Sequence, residues 1–327
     1  MKVIGIDYPC LDHLVDIDRL PGTDGETEIH RQSVQGGGMV PTALAVLGRL
    51  GVETAIQGIV GDDLYGRFCA EDLRRHGVDV SRLVQDPGRT TDYTICAAER
   101  ETGGRSFLVQ WGDRRRLRKE ELDREAIEGA EYLFLCGEMD EINLEAAQMA
   151  KRAGKKVFID ADHYAASTME HLDCLDVVVA SDFFRKKLGA DRELEAVCDE
   201  ILSRGPELVV FTLGSRGSAG KGRKAPFFQV PACRVPVVDT TGAGDVFHGA
   251  FLYGLLQGWT GADCARFAAA VAGIKCMYLG GRAGIPSLET AQRFLKTGEL
   301  DREELEERQA FYQRGLERLL LGREERP

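Results

Sequence analysis

The sequence predicts an α/β protein: a doubly wound, mainly parallel sheet with helices on both faces, plus a small β-strand lid. Three observations carry this. From Tyr132 onward, short apolar runs alternate with amphipathic stretches. Two segments, near residues 12–34 and 89–111, break that rhythm with hairpin-like patterns, and a glycine-rich turn at 239–245 runs straight into an apolar helix. Strands that alternate with helices of about 10 to 15 residues imply right-handed crossovers and a parallel sheet. Ligands of such sheets bind beyond the carboxyl ends of the strands. The expected division is a main α/β body over 1–11, 35–88 and 112–327, with the lid over 12–34 and 89–111.

Taken in chain order, a short apolar strand ends near Asp7 and is followed by Asp12. Asp24 lies three residues past Pro21 in the first lid segment. Gly36-Gly37-Gly38 precedes a helix over Thr42 to Arg49 that stops at Gly51; Gly37 and Gly38 can bring backbone N–H groups close to a ligand, or serve only a tight turn. Asp62 and Asp63 read as turn and cap residues. The second lid segment predicts strands at Thr90 to Cys96 and Ser106 to Val109 around the turn Glu101 to Arg105, and Arg114 to Lys119 reads as a solvated loop. Strands then follow at Tyr132 to Cys136, Val157 to Asp160, Val177 to Ala180 and Leu208 to Leu213, with helices near Asn143 to Ala153 and Arg192 to Ser203. Asp160-Ala161-Asp162 stands at a carboxyl edge, where a carboxylate pair suits hydrated Mg²⁺. The tail from Glu299 predicts a charged helix or two, docked through Leu300, Leu305, Phe311, Leu316, Leu319 and Leu320.

Composition narrows the class. At 327 residues and 43% hydrophobic, the chain can bury one large core. A formal charge of −11 argues against nucleic acid or an anionic membrane as the main partner. Nine single cysteines without a C-x-x-C pair suit reduced thiols and not a zinc site. The opening Met1 to Asp7 does not read as a signal peptide and there is no membrane-length apolar run, so a cytoplasmic protein is expected.

The turn Asp239-Thr240-Thr241-Gly242-Ala243-Gly244-Asp245 is the most informative stretch. Its glycines free the backbone, and the first N–H groups of the following helix would hold phosphate oxygens at the positive end of the helix dipole. Asp245, in that same turn, is placed to take a proton from a hydroxyl that attacks phosphorus. A plain N-cap turn is the simpler alternative.

Asp239 to Asp245 resembles the second signature of the ribokinase-like (PfkB) carbohydrate kinases, and the likeness runs over nearly the whole chain, from the first strand to Pro286. The resemblance implies ATP-dependent phosphorylation of a sugar hydroxyl, with Mg²⁺, a monovalent cation such as K⁺, and pairing of two copies through their lids. It implies Asp245 as base, an anion hole of Gly242, Ala243 and Gly244, and a sugar site of Asp12, Asp24, Gly37 and Gly38 with Arg105 reaching over from the lid. Thr212, Gly214, Ser215, Gly217, Thr241, Cys276 and Gly280 fall on the nucleotide side, and Asp160 and Asp162 near the metal. Three positions depart from the family pattern: Thr42 replaces an asparagine, and Ser181 and Phe184 replace Asn-x-x-Glu. They resemble ketohexokinase-like and sulfofructose kinase-like branches, so a ketose is the favoured acceptor. A nucleoside such as adenosine is the alternative, and a non-catalytic sensor on the same fold is the reading from another class.

Overall fold

The computed structural model describes residues 1–315 and 317. Its strands are β1 (Val3–Ile6), β2 (Leu11–Ile17), β3 (Ile29–Gly36), β4 (Thr54–Gly61), β5 (Val78–Asp86), β6 (Tyr93–Glu99), β7 (Arg105–Gln110), β8 (Tyr132–Cys136), β9 (Lys156–Ala161), β10 (Val177–Ser181), β11 (Leu208–Thr212), β12 (Ser218–Gly222) and β13 (Ala225–Val230). Nine of them form one sheet in the order β13-β12-β11-β10-β9-β8-β1-β4-β5. Pairing is parallel from β5 to β11 and antiparallel at the β12 and β13 edge.

Helices cover both faces, and the strands alternate between two cores. Val177 and Val179 of β10 join one cluster with Phe134, Phe158 and the helices Met39–Arg49, Ala243–Leu256 and Gly261–Cys276. Val178 and Ala180 join the other, with Leu133, Ile159 and the helix Leu194–Leu202. Each fully buried valine, leucine or phenylalanine contributes about 1.5–3 kcal/mol, so this two-faced burial is what makes the sheet rigid. The helix Ala243–Leu256 is buried along the whole of Val246 to Gly254, not on one face only. Gly249 explains how: a Cβ there would lie 2.5 Å from the Ala43 carbonyl oxygen, so only glycine lets the two helices approach so closely.

The direction of winding reverses between β8 and β1. Beyond their carboxyl ends lies the crevice in which ligands of open α/β sheets bind. Over it stands the second sheet, ordered β3-β2-β6-β7. Its two outer pairings are antiparallel and the central β2–β6 pairing is parallel, so it is more than a pair of hairpins. The C-terminal helix Arg302–Gln313 is docked, with Leu305 and Tyr312 buried; Leu316, Leu319 and Leu320 lie outside the described residues. Arg114 corrects the solvated-loop expectation: its guanidinium is 2.5 Å from Asp92 and stacks 4.2 Å above the Tyr8 ring. No helix among the described residues is long and apolar enough to cross a membrane.

Candidate active site

The turn at 239–245 closes on itself around Asp239. Its carboxylate accepts from the Thr241 N–H at 2.8 Å, the Thr241 hydroxyl at 2.7 Å and the Gly280 N–H at 2.8 Å. Through these bonds Thr241 and Gly280, both expected on the nucleotide, brace the loop. Gly242 is the N-cap of the helix at φ 71°, and a Cβ there would stand 2.9 Å from the Gly281 Cα. Such a left-handed residue packed on backbone has to be glycine. The Ala243 N–H donates to Thr240 O at 3.1 Å, whereas those of Gly242, Gly244 and Asp245 have no protein acceptor among the described residues. The N–H groups left open to a ligand at the positive end of this 14-residue helix are therefore those of Gly242, Gly244 and Asp245, whereas that of Ala243, also expected in an anion hole, is engaged.

The Asp245 side chain is half-buried beneath these groups. Burial, and then the negative charges of Asp160, Asp162, Asp12 and Asp7, push its carboxyl well above the usual carboxylate range. An aspartate of ordinary acidity would be a weak base; this one binds its proton more firmly. Asp12, at the start of β2, is also pushed up, to about 6, chiefly by burial, with Cys10 and Arg282 opposing.

On the acceptor side, Gly37 packs against Asp12 so tightly that a Cβ would lie 2.3 Å from Oδ2. Its N–H, expected to face a ligand, instead donates to Cys10 O at 2.7 Å. Gly38, at φ 94°, begins the helix Met39–Arg49. Below the turn lies Arg282, entirely buried, which donates to Asp72 at 2.6 Å, to Gly37 O at 3.0 Å and to the Thr42 hydroxyl at 3.3 Å. Thr42 therefore serves this guanidinium. Asp72 in turn accepts from the Tyr312 hydroxyl of the C-terminal helix at 2.5 Å. His76, driven down to about 3 by burial, stays neutral, donating through Nδ1 to Asp72 O at 2.7 Å and accepting from Arg308 at 2.9 Å. Asp24 occupies the exposed turn between β2 and β3 at φ 60°. Arg105, on β7, reaches across from the lid to Thr240 O at 2.8 Å, at the rim of the anion loop.

On the nucleotide side, the exposed turn Gly214–Arg216 follows β11, with Ser215 at its crest and Thr212 at the strand end. Gly217 is the tight re-entry into β12: a Cβ there would stand 2.0 Å from Val230 O. Cys276 is buried, and its carbonyl accepts from Val238 and Asp239 N–H groups at 2.8 and 3.1 Å. Ser181 caps the helix Asp182–Gly189 and Phe184 is core, while Asp182 gathers Arg185, Lys186 and Arg216 at 2.8 to 3.0 Å.

The two aspartates expected near a metal are held differently. Asp160 is wholly buried, with Oδ2 2.6 Å from His248 Nδ1, and Asp162 is 2.9 Å from His163. Among the described residues no group of three or more ligating side chains converges. That suits an ion such as Mg²⁺, which keeps its waters and arrives on nucleotide phosphates; of the two aspartates, Asp162 is the half-exposed one.

Sequence reasoning missed three side chains. His248 lies one helical turn after Asp245, a spacing that places both on one face. Neither ring nitrogen and neither Asp160 oxygen makes a well-formed hydrogen bond, although all four are buried. Lys275 is a fully buried lysine that donates to Asp239 O at 2.8 Å; its position in the apolar run Ala268 to Cys276 was the available signal. Arg282 was hidden among the glycines around it.

Comparison with known proteins identifies the family and the fold. The pfkB family carbohydrate kinase description matches residues 6–288. A ribokinase of Arabidopsis thaliana is 30% identical over 305 residues, covering 87% of this chain and 78% of that protein. A nucleoside kinase of Methanothermobacter thermautotrophicus is 25% identical over 304 residues, covering 89% and 95%. The structure of Arabidopsis thaliana ribokinase complexed with ribose and ATP superposes with a TM-score of 0.77 at 24% identity, over 90% of this chain and 98% of that one. The chain belongs to the pfkB family of carbohydrate kinases and is an ATP-dependent sugar or nucleoside kinase.

Proposed function

We propose that the protein transfers the γ-phosphoryl group of ATP to a hydroxyl of a sugar, with a ketose favoured. Asp12 holds the acceptor hydroxyls, and Asp245 accepts the proton of the attacking one. The N–H groups of Gly242, Gly244 and Asp245 stabilise the charge that gathers on the transferring oxygens. Bound Mg²⁺ supplies neutralisation of the nucleotide phosphates. Arg105, drawn to Thr240 O, keeps the lid over the crevice and water out of it. The carrying observation is that Asp245 and three unpartnered N–H groups share one turn, with Asp12 near enough for its charge to act on Asp245.

A nucleoside acceptor is the second reading, since one relative is a nucleoside kinase. Base recognition calls for aromatic stacking, for which the lid offers Tyr93 and Phe107. Tyr93 is already stacked on Tyr65, with centroids 5.3 Å apart, and its hydroxyl is 3.2 Å from His13. Only Phe107 stays exposed, on the face of β7 that carries Arg105. This favours the sugar. An ADP-release assay over ketoses, aldoses and nucleosides decides between them, and a chain that binds nucleotide but turns over none of them is a sensor.

We further propose that two copies pair along the lid. β7 is an edge strand, and Leu108 within it and Trp111 just after it are exposed apolar residues, on an edge that monomers usually blunt with charge. Leu108→Lys should convert a dimer into a monomer by light scattering, and a wild-type monomer at micromolar concentration refutes the pairing.

A further inference from the structure

The loop that carries the anion hole is held from behind by a charge. Lys275, next to last in the helix Gly261–Cys276, is fully buried, and its ammonium donates to Asp239 O at 2.8 Å. Lysine is almost never buried without a partner, because an ammonium taken from water needs an opposing charge and oxygen acceptors. Asp239 provides both. Burial alone would raise the Asp239 carboxyl, but the Lys275 charge and the donors of Thr241 and Gly280 outweigh this and hold it below its ordinary value. The next carbonyl along, Thr240 O, also accepts from a cation, Arg105, at 2.8 Å. Two consecutive carbonyls at the base of the anion loop thus already face protein-borne positive charge.

This does not fit the K⁺ that the sequence resemblance led us to expect. A monovalent ion in a protein is held by carbonyl and carboxylate oxygens that replace its water. At the foot of this loop three of the oxygens that could hold such an ion, Asp239 O, the Asp239 carboxylate and Thr240 O, are already engaged. A second cation there would also meet the repulsion of the buried ammonium.

We infer that Lys275 is a built-in monovalent cation that sets the anion loop, so that catalysis by this chain needs no added K⁺ or Na⁺. The inference rests on the loop being the phosphoryl site. It also explains why a charged residue interrupts the apolar run from Ala268 to Cys276: the helix ends where its side chain can reach Asp239. Burial pushes the Lys275 ammonium downward, against Asp239 and Asp245; Cys276 and Arg105 are the other titratable or charged groups that bear on it. Loss of that proton at alkaline pH therefore loosens the loop.

The test compares K⁺, Na⁺ and tetramethylammonium as the sole monovalent cation. For the wild-type protein, both ADP release and the shift in unfolding temperature produced by Mg·ATP should agree within about twofold across the three. A tenfold or greater activation by K⁺, with a matching gain in nucleotide-induced stabilisation, overturns the inference. Lys275→Met should lower kcat at least tenfold, lose the alkaline limb and regain part of its activity in K⁺ or NH₄⁺ but not in tetramethylammonium. Wild-type-like activity of Lys275→Met in tetramethylammonium also overturns it. If that variant does not fold, the wild-type cation series decides alone. If no acceptor is ever phosphorylated, the proposed reaction fails, while the cation dependence of nucleotide-induced stabilisation still judges Lys275.

Discussion

Replacing Asp245 with asparagine keeps the side chain's size and removes one negative charge and the proton acceptor. The variant keeps the Gly242, Gly244 and Asp245 N–H groups, the helix dipole and Asp12, so nucleotide binding and acceptor placement survive. Only general-base assistance is lost, a contribution of roughly 10²- to 10⁴-fold. That corresponds to a barrier higher by about 3–5 kcal/mol. The structure adds a pH signature. Burial and the neighbouring aspartates raise the Asp245 carboxyl, so the folded protein binds its proton more tightly than the unfolded chain. The stability this contributes is complete below the unfolded pKa of about 3.9 and is lost as pH rises through the raised folded value. Asp245→Asn carries no such cost, so it should melt higher than wild type at pH 8 and show no advantage near pH 4. Wild-type kcat should fall toward acid with a midpoint above that of an ordinary aspartate. Steady-state ADP release and thermal unfolding at the two pH values measure both effects. Turnover close to wild type in the variant, or a lower melting temperature at pH 8, refutes the role given to Asp245.

Three further substitutions separate the parts of the site. Asp12→Ala should raise the sugar KM far more than the ATP KM in the same assay, and equal effects count against an acceptor role. Gly242→Ala forces a side chain into φ 71° and against Gly281, so it should cost about 1–3 kcal/mol in urea unfolding and weaken nucleotide binding. His248→Phe leaves the Asp160 carboxylate buried and alone, which should cost about 3 kcal/mol or more, partly recovered by adding Asp160→Asn. No recovery in that pair would mean that the contact carries no charge.

The sheet was legible because parallel strands buried on both faces read as continuous apolar runs, as at Val177 to Ala180, and because Gly154 and Gly205-Pro206 punctuate them. The glycine turn was legible because its function constrains the backbone, and backbone demands surface in sequence as glycine. The parallel β2–β6 pairing was not, since nothing local to Asp12–Asp16 or Thr94–Ala98 marks strands about eighty residues apart in sequence as neighbours. The availability of each N–H was hidden too: Gly37 and Ala243 look as free as Gly38 and Gly244 until Cys10 O and Thr240 O are placed. The buried polar side chains Lys275, Arg282 and His248 were not legible for one reason. Their partners Asp239, Asp72 and Asp160 come from distant parts of the chain, and only the fold brings them together.

The buried run from Tyr312 through Asp72 and Arg282 to Gly37 has an implication for biosynthesis. The turn that shapes the acceptor pocket is formed within the first forty residues, yet the hydroxyl that completes its underpinning belongs to one of the last residues of the final described helix. A nascent chain still tethered to the ribosome would have its phosphoryl loop and most of its sheet while the pocket floor stayed unpinned. The Gly37 turn is then fully braced only once the helix Arg302–Gln313 has been made and has docked.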